Sequence, residues 1–453
     1  MTPSSRIVVT TGEVLGAHMA GPAIRAWQMA RALAAEHDVV LAGTRGSTLT
    51  HADFRIVGVD PSELSALVAD ADVLVVQGDL LGHIDAGAAV VIVDLYDPFH
   101  LEALEQTADL APDLRHRALW TARNAIDEQI RRGDRFLCAS HRQRDFWLGH
   151  LAAAGRINEL TYAASPDLEA LITVVPFGVE DRAPHRAEPV LRGVAPGVGA
   201  DDLIVMWGGG IYDWFDPLTL LRALDRVRVR VPSVKLFFAG MRHPNPEVGE
   251  TAMAREARAL SDELGLTGSH VIFNDWVEYD ARERYLLEAD VAVSTHFEHI
   301  ETAFSFRTRV LDYLWASLPV VTTRGDELGE VVARAGAGIA VPPDDVDALE
   351  AALLALLEDP DLRARSAAAS GALSREYRWS VVLEPLLAFC RAPARAPDLV
   401  DPLLGAEIAA PSARPPRIDA GARVGRVWQH LRHGEISTLM DKARGHLRRR
   451  GLG

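Results

Sequence analysis

The chain has 453 residues, 48% hydrophobic and 24% charged, with 47 basic and 63 acidic side chains and a formal net charge of -16. That is an ordinary soluble composition, long enough for two or three domains, and it excludes a single small fold. The acidic balance argues against nucleic acid as a partner, because such affinity comes mostly from cations that neutralise phosphates.

The acid is unevenly spread. Arg414 to Gly453 holds ten Lys or Arg against three Asp or Glu, a net of +7, which leaves -23 for residues 1–413. Lys235 and Lys442 are the only lysines, so any phosphate held by a side chain is expected on arginine. Cys138 and Cys390 stand far apart with no motif around them and are expected to be buried thiols of a reducing compartment. No apolar run reaches the roughly 18 residues that span a bilayer. The expectation is a cytoplasmic protein, peripheral at the inner face of the membrane if it meets one.

Short apolar, β-branched runs alternate with helical patterns, the sequence form of parallel α/β layering. RIVVTT (6–11), DVVLAGT (38–44), FRIVGVD (54–60), DVLVVQG (72–78), AVVIVDLY (89–96) and RFLCAS (135–140) read as strands, and LITVVPFGVE (171–180) closes the first lobe. Helices are expected over 24–36, 61–71 and 101–132, the last broken near Pro112. Residues 181–202, with three prolines and three glycines, read as a linker.

A second series follows: LIVMWG (203–208), KLFFAG (235–240), HVIFND (270–275), VAVSTHF (291–297), PVVTT (319–323) and GIAVP (338–342). A helical pattern from Val346 to Arg375 and YRWSVVLEPLLAFC (377–390) come next. Residues 392–417 read as a Pro-rich linker, and 418–453 as a basic amphipathic helical tail. Two open sheets suggest two Rossmann-like lobes facing a cleft, with ligands beyond the carboxyl ends of the strands.

Three loops could carry chemistry. TTGEVLGAHMAGPAIRAW, after the first strand, brings Gly16, His18 and Gly21 to a helix start through Pro22 and is a candidate acceptor or phosphate loop. It lacks the spacing of dinucleotide and P-loop motifs, and its glycines could equally serve only to turn the chain. In WGGGIYDWFDP, Gly208, Gly209 and Gly210 would let a ligand lie against bare backbone. There Asp216 and Pro217 look like an N-cap and first-turn proline, while Asp213 and Asp216 put negative charge at the loop's mouth. In HFEHIETAFSFRTRVLDYLWASLPVVTT, Ser305 is expected to cap a helix running to Trp315, with the amides of Phe306 and Arg307 facing an anion and Ser305, Arg309 and Asp312 on one face. Arg309 and Asp312 could instead be a plain surface pair.

WGGG, KLFFAG, HVIFNDWVEYDARERYLLEADVAVSTHF, LDYLWASLPVVTT and the stretch from GAGIAVPP to DLRARS together resemble the donor lobe of retaining glycosyltransferases of family 4. The resemblance covers roughly residues 5–392 and implies an α/β chain of GT-B fold that moves a hexosyl unit from a nucleotide-diphosphate sugar to a glycan or glycolipid acceptor, in cell-surface polysaccharide assembly. By position it implies Asp312 for the ribose, Asn274, Trp276 and Val277 for the base, and Gly208 to Gly210 for the diphosphate. The family's first acidic residue falls on Phe304, so Glu301 or Glu298, the nearest acids, would have to serve through a longer loop, and the basic pair that follows the family's glycine loop is missing. Arg307 and Arg309, with Arg242 in reserve, are expected to hold the diphosphate instead. In DLYDPFH, Asp97 and His100 are candidates for the donor sugar or the acceptor hydroxyl, or simply a helix start and a solvent histidine. No bound cofactor and no metal are implied, and the spacing of His296 and His299 at a strand end is poor ligand geometry. The departures also leave room for a non-catalytic sugar-nucleotide scaffold, or for an epimerase on the same architecture. The expected partners are the nucleotide sugar, a glycan or lipid-linked acceptor and, through residues 418–453, an anionic membrane surface.

Overall fold

The computed structural model of the chain describes residues 4–17, 19–241 and 250–409. His18, Arg242 and the basic tail 418–453 lie outside the described residues. The described chain divides into two compact units, one built from 4–100, 119–178 and 377–409, the other from 101–118 and 179–376.

The first unit holds β1 (Arg6–Thr10), β2 (Asp38–Thr44), β3 (Arg55–Val59), β4 (Val73–Gln77), β5 (Val90–Asp94), β6 (Arg135–Cys138) and β7 (Ile172–Val174). They form one parallel sheet in the order β3-β2-β1-β4-β5-β6-β7. Strands β4 and β5 are buried at every residue, as expected of strands covered on both faces. Cys138 and Cys390 are buried thiols, and burial pushes both up to about 12.

The second unit holds β8 (Leu203–Trp207), β9 (Val234–Phe238), β10 (Val271–Phe273), β11 (Val291–Ser294), β12 (Val320–Thr323) and β13 (Gly338–Val341). Its parallel order is β10-β9-β8-β11-β12-β13. A core of buried side chains, among them Trp207, Leu220, Leu224, Phe238, Val293 and Leu353, packs its helices onto this sheet. In both sheets the strand order reverses once, between β1 and β4 and between β8 and β11. Such switch points open the crevice in which parallel α/β sheets bind ligands.

Several helical stretches divide where their sequences break the ladder. Residues 101–132 give Phe99–Gln106 and Pro112–Arg132, and residues 346–375 give Val346–Glu358 and Pro360–Leu373, with Asp359 capping the second. Residues 392–409 are not the linker expected from their prolines. They carry the helices Pro397–Val400 and Pro402–Ala409, where each proline sits in the first turn or opens it. This stretch is pinned to the first unit: the fully buried Asp398 accepts from Arg156 at 2.7 Å, and Arg395 donates to Asp134 at 2.8 Å. Residues 181–202 likewise dock on the second unit, where Glu288 accepts from the backbone N–H groups of Val190, Leu191 and Arg192 and Arg192 pairs with Asp290 at 2.6 Å.

Candidate functional site

In the second unit the loops after β8 and β11 flank the switch point and are joined to each other. The Asp216 N–H donates to the Thr295 carbonyl at 3.0 Å, and the Thr295 hydroxyl returns a bond to the Asp216 carbonyl at 2.5 Å. Each glycine of the β8 loop has its own structural reason. Gly209 has φ +74, which favours glycine, a Cβ on Gly208 would lie 2.9 Å from the Tyr313 ring, and one on Gly210 would lie 3.3 Å from Tyr212. The loop therefore needs bare backbone before any ligand arrives. The Gly208 N–H donates to the Tyr313 hydroxyl at 2.7 Å, which passes the bond on to the Val293 carbonyl at 3.1 Å.

The acids at the mouth of this loop are held by backbone amides. Asp216 caps the helix Pro217–Arg230, accepting from the Thr219 N–H at 2.9 Å, and Asp213 accepts from the Met253 N–H at 3.0 Å. Burial raises the Asp216 carboxyl above its usual range.

Ser305 does not cap the long helix. It ends the short helix Ile300–Phe304, and its hydroxyl donates to the Thr302 carbonyl at 3.2 Å; the next helix, Thr308–Trp315, has Arg307 at its N-cap with no side-chain bond. The sequence Ser-Phe-Arg-Thr thus makes a break between two helices, because Ser305 and Arg307 take extended or intermediate backbone angles. Ser305 therefore does not share a helix face with Arg309 and Asp312, and the Phe306 amide precedes the helix.

The three charged residues expected to act together have different partners. Arg307 is buried and donates to the buried Glu301 at 2.6 Å, with Phe215 5.0 Å beneath its guanidinium. A diphosphate would have to compete with Glu301 for Arg307. Asp312 accepts from Arg282 Nε at 3.0 Å and so is not a surface pair with Arg309. Arg309 lies along the glycine loop: its Nη2 donates to the Gly210 carbonyl at 2.8 Å, and its guanidinium rests on Phe215 at 3.9 Å and on Trp207 at 4.9 Å. Its Nη1 is buried without a hydrogen-bond partner among the described residues. Burial pulls Arg309 down to about 10, Tyr313 opposing and Arg307 adding to the fall, so it stays cationic at neutral pH.

Asn274, Trp276 and Val277 sit at the end of β10, held against the end of β9. The Met241 N–H reaches the carbonyls of Asn274 and Asp275 at 3.0 and 2.9 Å, Asn274 Nδ2 donates to the Ala239 carbonyl, and the Trp276 ring fills the place where a Cβ of Gly240 would stand. All three side chains are half-buried. His296 and His299 face different carboxylates, Asp326 at 3.7 Å and Glu301 at 3.6 Å.

In the first unit the candidates gather at the carboxyl ends of β1 and β5. The loop after β1 is tied down, with the Leu15 N–H bonded to the Ser47 hydroxyl and Gly16 packed by Thr48; Gly21 opens the helix Gly21–Leu33 beside the Tyr96 hydroxyl. Ala20 gives that helix no side-chain cap. DLYDPFH is held from behind: Arg25 grips Asp94 at 2.7 and 2.8 Å, Gln143 donates to the Tyr96 carbonyl at 2.7 Å, and Trp147 to the Leu95 carbonyl at 3.1 Å. Asp97 is half-buried. His100 is no solvent histidine: its ring stacks on Phe146 at 5.7 Å, and burial pulls it down to about 4, with the neighbouring His150 adding to the fall and Asp127 opposing.

Solved structures with the same two-unit design include sucrose-phosphate synthase from Thermosynechococcus elongatus and Anabaena HepE in complex with UDP and glucose. The first aligns over 85% of this chain and 98% of that one with TM-score 0.62 and 16% identity, the second over 85% and 98% with TM-score 0.61 and 14% identity. The fold is GT-B. Within this GT-B chain, residues 203–359 match the family model described as "Glycosyl transferases group 1", and the switch-point loops fall inside the matched segment. Among curated proteins, the phosphatidyl-myo-inositol mannosyltransferase of Mycolicibacterium smegmatis is 30% identical over 240 residues, 51% of this chain and 56% of that one. Its Mycobacterium tuberculosis namesake is 30% identical over 174 residues, 37% and 41% of the two chains. The chain thus spans about half the length of the curated relatives it matches.

Residues that carry this geometry without a signal in the sequence include Tyr313, which bonds the glycine loop, and Arg282, which holds Asp312. Arg282 is one of several arginines in a polar stretch, and Tyr313 reads as an ordinary core aromatic. Only the strand order brings them to the same edge.

Proposed function

We propose that the chain is a retaining hexosyltransferase that takes a sugar from a nucleotide diphosphate and passes it to a glycan or glycolipid acceptor. The observation that carries the reading is Arg309, laid along the Gly208–Gly210 loop at the switch point of a group 1 domain, with its Nη1 unpartnered. In this account that guanidinium and the backbone of the loop hold the diphosphate, Asp312 the ribose, and Asn274 to Val277 the base. During transfer the bond from the sugar's anomeric carbon to the phosphate oxygen breaks, and the acceptor oxygen bonds to the same face. The acceptor's proton passes to the departing phosphate. The protein contributes position and charge stabilisation rather than a base. Glu301 is assigned to holding Arg307, and Asp97 and His100 to the sugar-facing side of the first unit.

The relatives' names, mannosyltransferases acting on phosphatidyl-myo-inositol, support a hexose donor and a lipid-linked acceptor for this chain. We assign it to the cytoplasmic face of the membrane, with the +7 segment contacting anionic lipid. Among the described residues no helix is long and apolar enough to cross a membrane.

The reading is tested by incubating the full chain with UDP-, GDP- and dTDP-sugars. Slow hydrolysis of one donor is expected, and EDTA leaves its rate unchanged because the account uses no metal. Binding without turnover, or interconversion of sugars, contradicts it.

A further inference from the structure

We infer that Arg282 is a positioning residue for nucleotide recognition: it sets the carboxylate of Asp312 so that its exposed side meets the hydroxyls of a nucleoside diphosphate's ribose. The inference rests on the donor reading above and names the group that makes it work.

Arg282 is fixed in a layered stack. Its guanidinium lies 3.7 Å from the Tyr279 ring centroid and 5.0 Å from that of Trp315, while Arg182 lies 5.4 Å from the same Trp315 ring. The stack is anchored at both ends. Trp315 Nε1 donates to the Arg182 carbonyl at 2.8 Å, Arg182 pairs with Glu283 at 2.5 Å, and Arg282 Nη1 donates to the Tyr279 carbonyl at 2.8 Å. Nε is directed at Asp312, meeting Oδ1 at 3.0 Å. The Arg282 side chain is 14% exposed but that of Asp312 is 32% exposed, so the carboxylate is gripped from the protein side and open on the other. Burial works against the charge on Arg282, yet Asp312 and Tyr279 beside it more than offset that and hold the guanidinium above its usual value.

The place is right for a ribose. Asp312 lies one turn beyond Arg309 on the helix Thr308–Trp315, whose Arg309 and Tyr313 both bond the glycine loop, and an ionised carboxylate beside that loop can accept hydrogen bonds from two ribose hydroxyls. A planar guanidinium packed against two aromatic rings fixes a carboxylate's direction in a way that an ammonium cannot.

The test is calorimetry on the full chain with UDP and GDP, their 2′,3′-dideoxy counterparts and inorganic pyrophosphate. Wild type is expected to prefer one ribose ligand over its dideoxy form by about tenfold or more. Arg282→Met is expected to erase that preference while leaving pyrophosphate binding unchanged. Asp312→Asn does the same, and the double variant loses nothing further. Where Arg282→Met does not fold, Arg282→Lys is read instead, and it too loses the preference because one ammonium cannot reproduce the Nε and Nη1 bonds together. Preference retained in either Arg282 variant overturns the inference, and so does an equal loss of all ligands, which marks a merely structural role. Wild type binding nucleoside diphosphate without a ribose preference overturns this inference alone. Wild type binding none overturns the donor reading with it.

Discussion

At the scale of single residues, burial decides which charged groups can act. Arg25 and Asp94 are fully buried and bonded twice to each other, and Gln77 donates to the same carboxylate. Breaking such a pair leaves an uncompensated charge, so Asp94→Ala is expected to cost about 3–5 kcal/mol in urea unfolding. An unchanged midpoint would show the pair to be dispensable. His100 gives a pH signature. Its folded-state value is about 4 against the usual 6.5, because burial favours the neutral ring. Its contribution is therefore complete above about pH 6.5 and lost as the pH falls toward 4, where only the unfolded chain has taken up the proton. Replacing His100 by Phe is expected to flatten the stability profile between those limits, removing an acid loss on the order of 3 kcal/mol. An unaltered slope in denaturant titrations across that range would contradict the assignment. His100 also shows what sequence could not tell: the motif around it is visible, but its stacking on Phe146, more than forty positions away, is a product of the fold.

At the scale of elements, the strands were the most legible part. Their apolar runs have no polar alternation to confuse them, and each of the thirteen falls within the run expected for it, save a one-residue extension to Val234. A helix break was legible at Pro112, but the single pattern expected over 346–375 hid the one at Pro360, and the break at Ser305 was illegible because its residue type suits a cap, yet it ends one helix instead of starting the next. The helix Thr308–Trp315 matters most to the site, since Tyr313 bridges Gly208 and Val293. Tyr313→Phe removes the partner of the half-buried Gly208 N–H and a donor to the buried Val293 carbonyl. The expected cost is about 1–3 kcal/mol, with a further loss of nucleotide affinity as the loop loosens. Equal stability and affinity in the variant would remove Tyr313 from the account. Strand order could not be read from periodicity, and it is the order that creates a switch point between β8 and β11.

At the scale of the whole molecule, the charge separates into parts with different work. An acidic body offers no bulk attraction for an anion, so under the proposed function capture of the donor would rest on a few arginines and backbone amides. The basic segment is separable only beyond Ala409, because Arg395 and Asp398 bond the first unit. A chain cut after residue 392 leaves Arg156 buried without Asp398 and is expected to be less stable by about 3–5 kcal/mol. A chain cut after residue 409 is expected to keep its stability and to lose flotation with anionic liposomes; equal flotation of the cut and full-length chains would sink the membrane assignment.

The central claim, retaining transfer from a nucleotide-diphosphate sugar, is tested most directly by proton NMR of the full chain with its preferred donor. The account predicts that the first sugar released carries the donor's own anomeric configuration, and that Arg309→Ala slows its release and weakens nucleotide binding. First release in the opposite configuration, or no release from any donor in the panel, would contradict it.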